Sequence, residues 1–271
     1  MKTVKELYNK HNGSDIYIVG TGASMRTFPV EFLKGKITIG LNMAWKLTPV
    51  TYCLTTRPEL NIAEFMPSEA AHPGIIWITK FEKLINQQQR NHALENDYYF
   101  FKSKAENQPA KIVDHIDIVG RNLSWVRNPT EDYLYLWSSV SQTAVNLAAN
   151  MGAKNIILVG CDNGALSKNH HAHQQHTMWK NKSADVRYNE YYQGLVEVRE
   201  ALRARGVSVT SLTPFLSPLE PEKDFLTLCK ELNVEQYIEN ENIADRYEMH
   251  GILAWLQTIY RNSRHYLKSI T

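Results

Sequence analysis

The sequence predicts an α/β protein: a Rossmann-like, mostly parallel sheet flanked by helices, with a helical C-terminal extension. Three observations predict it. Short apolar runs dense in β-branched residues recur through the first third of the chain. A helix-period segment from Ser138 leads through a glycine into another such run. That helix–strand unit then repeats once before two prolines mark a change of composition.

The elements follow in order. Residues 1–11 put Val4 and Leu7 on one face of a short helix, and Asn12-Gly13 marks a turn. "DIYIVG" (15–20), "KITIG" (36–40), "TYCLT" (51–55) and "IIWIT" (75–79) read as strands buried on both faces. Residues 80–110 are polar and amide-rich, which predicts a helix followed by a loop. "KIVDHIDIV" (111–119) predicts a strand at a sheet edge, and the aromatic-rich segment 122–137 a loop over the core. From Ser138, residues Val140, Ala144, Leu147, Ala148 and Met151 have helical spacing, and Gly152 is placed as a C-terminal cap. "AKNIILVGCDNG" then gives a buried strand ending at Gly160-Cys161-Asp162. Residues 185–205 predict a second long helix stopped by Gly206, and "VSVTSLTP" (207–214) the next strand. Pro214, Pro218 and an acid-rich stretch set the boundary between a nucleotide-binding domain (1–218) and a helical extension (219–271), whose last helix spans 243–267.

Composition excludes several classes. Thirty Lys+Arg against 28 Asp+Glu leave a net charge of +2, without the basic excess of a nucleic-acid binder, so no nucleic-acid partner is expected. Cys53, Cys161 and Cys229 lie far apart and form neither a disulfide framework nor a Cys-x-x-Cys zinc pattern, which points to a reducing cytoplasm. The polar start "MKTVKELYNKHNG" lacks a signal-peptide apolar core, and no run of about 18 apolar residues predicts a transmembrane helix.

Candidate chemistry gathers at the predicted strand ends, where open α/β sheets bind ligands. The first strand runs into Gly20-Thr21-Gly22, whose glycines let the backbone turn tightly and approach a ligand, with Ser24 able to cap the next turn. The second ends at Asn42, the third at Thr55-Thr56-Arg57, and the Ser138-led unit at Asp162-Asn163. Ser139 and Ser141 open the long helix at the same edge. Hydroxyls and amides there suit a nucleotide base and ribose, and Arg57 suits a carboxylate or phosphate. The plainer readings are a turn at Asn42, a loop cap at Asp162 and helix capping by the serines. A dinucleotide fingerprint is incomplete: position 25 is Met, and no acid follows the second strand, so an NAD enzyme is disfavoured.

"IYIVGTGASM", "IGLNMAW" and above all "SSVSQTAVNLAANMGAKNIILVGCDNG" resemble blocks of one bacterial superfamily. It includes the lipooligosaccharide sialyltransferases, the motility-accessory flagellin glycosyltransferases and, on the same core, hydroxymethylpterin diphosphokinase-like proteins. The resemblance spans roughly residues 15–214 and implies a metal-independent transferase without a resident cofactor, whose nucleotide-sugar donor is CMP-linked. It implies that Gly20, Gly22, Ser24, Asn42, Ser139, Ser141 and Asp162 hold the nucleotide. The sequence departs from the pattern at Ala23, where those enzymes have proline, and at Thr21, where they have an amide. They also carry a catalytic histidine near the start of the 185–205 helix, where this chain has Arg187, Tyr188 and Asn189.

Four of the ten histidines (His170, His171, His173, His176) lie within a seven-residue stretch on the segment that follows Asp162. A neutral imidazole could deprotonate an acceptor hydroxyl, and a protonated one could stabilise a departing phosphate. The alternatives are a solvated loop or a metal site. His170 and His171 are the expected catalytic residues, with Tyr188; Tyr188, Tyr191 and Tyr192 could bind phosphate or belong to the core. The segment "GILAWLQTIYRNSRHYLK" could pack on the core, pack on another subunit of a homo-oligomer, or lie on an anionic membrane surface. The expected activity is transfer of a sugar, such as sialic acid or a related nonulosonate, to a glycan or glycolipid acceptor. A diphosphokinase-like ATP/magnesium enzyme and an inactive nucleotide-binding protein are the alternatives. The expected location is cytoplasmic or peripheral on the inner face of the membrane.

Overall fold

The structure, a computed structural model, describes residues 1–58, 74–84, 86–104, 123–162, 172, 184–213 and 225–234. In chain order the elements are β1 (Lys2–Thr3), β2 (Asp15–Val19), β3 (Ile37–Leu41), β4 (Tyr52–Leu54), β5 (Ile76–Lys80), α1 (Gln87–Glu95), β6 (Tyr99–Lys104), α2 (Ser124–Arg127), β7 (Tyr133–Tyr135), α3 (Val140–Asn150), β8 (Asn155–Val159), α4 (Ala184–Arg203), β9 (Ser208–Ser211) and α5 (Phe225–Glu231). The strands form one sheet in the order β1-β6-β5-β4-β3-β2-β8-β9, with β7 also on β6. Every pairing is parallel. This is the expected Rossmann-like architecture.

Strand periodicity divides the core. Ile16, Ile18, Ile39, Leu54, Ile156 and Leu158 face one side, where α3 and α4 supply Ala144, Leu147, Ala148, Leu195, Val198 and Leu202. Tyr17, Val19, Ile157 and Val159 face the other, against Met25, Phe28, Leu33, Leu228 and Cys229. Further along that second face, Cys53, Trp77 and Phe100 pack with Trp45, Leu84, Ala93 and Tyr98. A strand flanked this way needs apolar residues at every position, which is why its sequence reads as an unbroken apolar run. Among the described residues of the 219–271 segment, α5 packs on the second face.

The sheet winds outward from β2 through β3, β4 and β5 to β6, then returns to place β8 on the other side of β2. The carboxyl ends of β2 and β8 therefore bound the crevice of a topological switch point.

Three segments differ from expectation. The start of the chain is β1 plus one 3₁₀ turn, Val4–Leu7, not a helix to residue 11. Val4 and Leu7 are fully buried as expected. The turn stops because the next residues serve α3: Asn9, His11 and Gly13 donate their N–H groups to the carbonyls of Asn150, Met151 and Gly152 at 2.8–2.9 Å. The second is β6, which lies where only a helix and a loop were expected. Its consecutive Phe100 and Phe101 are both buried, while Lys102 and Lys104 are exposed, so it shows neither continuous nor alternating apolarity. Third, the 122–137 segment contains α2 and β7, with Leu134 and Tyr135 fully buried. The Tyr135 N–H donates to Asn146 Oδ1 of α3 at 2.8 Å. The expected strand at 111–119 and the helix at 243–267 lie outside the described residues.

Candidate functional site

The site is built first from the glycine turn. After β2, Gly20 N–H donates to the Val159 carbonyl (2.7 Å) and Gly22 N–H to the Gly160 carbonyl (2.8 Å), which extends the β2/β8 pairing past both strands. A β-carbon on Gly20 would lie 2.8 Å from the Gly160 carbonyl carbon, and one on Gly22 would lie 2.6 Å from Asp162 Oδ2. Gly160 itself has φ +63°, and a β-carbon there would strike Met25. The glycines are thus accounted for by close packing of two strand ends. A bulky residue at Gly22 meets Asp162, so such a variant reports folding before it reports ligand binding.

Asp162 is 3% exposed and closes this unit. The Ser24 N–H donates to its Oδ2 at 2.7 Å, and the Ser24 hydroxyl donates to Oδ1. A charge-assisted pair of this kind compensates the cost of burying a carboxylate. Thr21 sits at the apex, half-buried, and its carbonyl accepts from the Ala172 N–H (2.9 Å). Arg26 Nε donates to the Ala172 carbonyl (3.3 Å). Ala172 lies between His171 and His173 in sequence, so one point of the histidine-rich segment is anchored on the glycine turn. Beside Asp162, burial, reinforced by the Asp162 charge, pushes the Cys161 thiol far above its usual range. It stays protonated and is no nucleophile.

A second cluster stands at the ends of β3 and β4. Asn42 has φ +52°, a left-handed conformation that asparagine tolerates, so it is indeed a turn residue. Its Oδ1 accepts from the Thr55 hydroxyl at 2.9 Å, which fixes the amide. Its Nδ2 is left uncommitted among the described residues. The Thr55 hydroxyl also accepts from the Arg57 N–H at 3.2 Å. Thr56 is half-buried and Arg57 exposed on this corner.

The third cluster is the start of α3. The helix runs antiparallel to the strands: its C-terminal end meets residues 9–13 ahead of β2, so its N-terminus lies at the carboxyl edge. Ser139 is the N-cap, and its Oγ accepts from the Ser141 N–H at 3.2 Å. The two serine hydroxyls are 2.6 Å apart, and Ser141 is buried. Capping explains both serines locally, and the half-buried Ser139 still lies at the edge. Gln142, which sequence reasoning passed over, completes the capping box.

Gly20, Gly22, Ser24 and Asp162 are therefore one bonded unit, Asn42 with Thr55 and Arg57 a second, and Ser139 with Ser141 a third. All three stand at the carboxyl edge. Tyr192 belongs to the core, and Tyr191 is half-buried. Tyr188 lies in the first turns of α4, with its side chain outside the described residues, as are Asn163, His170 and His171. No described helix is long and apolar enough to cross a membrane.

No protein-family profile matches the chain, and no curated protein matches it in sequence. Among solved structures, the sialyltransferase CstII from Campylobacter jejuni with cytidine-5'-monophosphate is 11% identical, with a TM-score of 0.41 over 75% of this chain and 81% of that one. The same enzyme with CMP-3FNeuAc is 10% identical, with a TM-score of 0.41 over 88% and 100%. A variant of Cst-II with CMP gives 11% identity and a TM-score of 0.43 over 87% and 98%.

The Asp162 geometry yields a stability prediction. Asp162→Ala strips the acceptor from two donors of Ser24, each costing about 1–3 kcal/mol when left unsatisfied. Urea unfolding should show a loss of that order, and an unchanged midpoint would refute the role given to this carboxylate.

Proposed function

We propose that the protein is a glycosyltransferase acting on a nucleotide-activated sugar, of the CMP-linked nonulosonate class, with a glycan or glycolipid acceptor. The observation that supports this best is the convergence around the β2/β8 switch point. A tight glycine turn, a half-buried Asn42 amide held by Thr55 and a serine-capped helix N-terminus share one edge. An amide with a free donor suits a base carbonyl or ring nitrogen, and a helix N-terminus suits phosphate. The sequence blocks that resemble the sialyltransferase-like superfamily fall on these same three clusters.

In this reading the acceptor oxygen attacks the anomeric carbon while the bond to the phosphate oxygen breaks. The nucleotide leaves with that electron pair, and the acceptor proton passes to a base. Positioning and stabilisation of the leaving phosphate supply most of the acceleration. His170 or His171 acts as the base or as the phosphate contact, with Tyr188 as a further phosphate ligand. Support for the histidines comes from the anchoring of Ala172, their neighbour in sequence, on the glycine turn. The diphosphokinase-like alternative relies on Asp162 for magnesium, and both oxygens of that carboxylate are already bonded to Ser24.

Thermal stabilisation by CMP, CDP, UDP, GDP and ATP, each with and without magnesium, tests the reading. A shift with CMP that ignores magnesium is expected. A shift only with ATP and magnesium would favour the kinase-like chemistry, and no shift at all an inactive fold. In the same assay Asn42→Gly, which keeps the left-handed backbone and removes the amide, should weaken CMP binding about tenfold. Unchanged affinity would displace Asn42 from the pocket. His170→Ala should lower turnover about tenfold or more at unchanged folding, since a charged hydrogen bond to phosphate contributes about 1.5–3 kcal/mol. Wild-type turnover in His170→Ala, His171→Ala and the double variant would remove the histidines from the mechanism.

A further inference from the structure

Gln142 is fully buried in the first turn of α3. A capping box asks one thing of it, an acceptor for the Ser139 N–H. It does more. Its Oε1 accepts from three successive N–H groups, of Trp137 (3.0 Å), Ser138 (3.0 Å) and Ser139 (3.3 Å). Its Nε2 donates to the Ser138 hydroxyl (3.4 Å) and, across to α4, to the Tyr191 carbonyl (3.3 Å). One side-chain amide thus folds the whole corner between β7 and α3 and ties it to the neighbouring helix. The neighbour is shaped to receive it. A β-carbon on Gly194, three residues beyond Tyr191, would lie 2.5 Å from the Gln142 amide carbon. Glycine is a poor residue for a helix interior, so its presence there answers to the space the amide occupies.

We infer that Gln142 is a positioning residue of the candidate nucleotide site. It holds the corner that sets the Ser139 and Ser141 hydroxyls at the carboxyl edge, and it locks α4 against α3 so that the serine turn and the tyrosine-bearing helix are placed together. The inference rests on the nucleotide reading above for its ligand, and on its own contacts for its mechanics.

Two measurements test it on the full-length protein. Amide hydrogen exchange without nucleotide reads the corner directly, and titration with CMP reads its consequence. In Gln142→Ala, exchange at 137–139 should quicken about tenfold or more, and CMP affinity should fall about tenfold, as expected when such bonds are lost. Gln142→Glu keeps the acceptor oxygens and should keep the corner protected. Gly194→Ala should loosen the same amides by displacing Gln142, yet add nothing in the Gln142→Ala background, where the space is empty. Wild-type protection at 137–139 in Gln142→Ala overturns the proposal. So does faster exchange with unchanged CMP affinity. A wild-type protein that binds no nucleotide overturns the nucleotide reading and the ligand half of this one, while the exchange data still decide whether Gln142 builds the corner.

Discussion

A buried carboxylate joins the two strands between which the sheet reverses its winding. Asp162 accepts both donors of Ser24, and much of the carboxyl edge follows from that bond. It draws the turn after β2 so close to the end of β8 that Gly20, Gly22 and Gly160 have no room for a side chain. The same turn carries Ala172, and with it one fixed point of the histidine-rich segment. A carboxylate so placed is a brace. In this structure it orients the glycine turn at the carboxyl edge.

The second constraint is α3, a helix buried on nearly every side, in which Gln142, Asn146 and Asn150 each bond a neighbouring segment. Asn146 receives β7, and Gln142 receives the corner before the helix. At the other end, residues 9–13 satisfy the terminal carbonyls. Arg205 adds hydrogen bonds to the Ala149 carbonyl (3.0 Å) and Asn150 Oδ1 (2.8 Å). A cation and three backbone donors suit the negative end of the helix dipole. Held at both ends, the helix presents its N-terminus at a fixed place on the carboxyl edge.

The sequence by itself determined the β2, β3, β4, β5 and β8 strands, because residues buried on two faces must be apolar at every step and leave a continuous run. It determined α3 and its caps, since Ser139 and Gly152 act within one turn of the helix they bound. It also marked Asn42, Asp162 and the glycine turn as small or polar strand ends suited to a ligand. Only the tertiary structure decided what those residues hold. Asp162 and Ser24 are 138 residues apart, and Gln142 meets Tyr191 from 49 residues away. No local periodicity encodes a partner at that separation. The strand β6 was hidden for a related reason: its burial changes along its length, since β1 and β5 flank residues 99–101 while β7 pairs with 102–104, so it carries no single pattern to read. Propensity and period are properties of neighbours in the chain, whereas the site is assembled from ends that only the sheet order brings together.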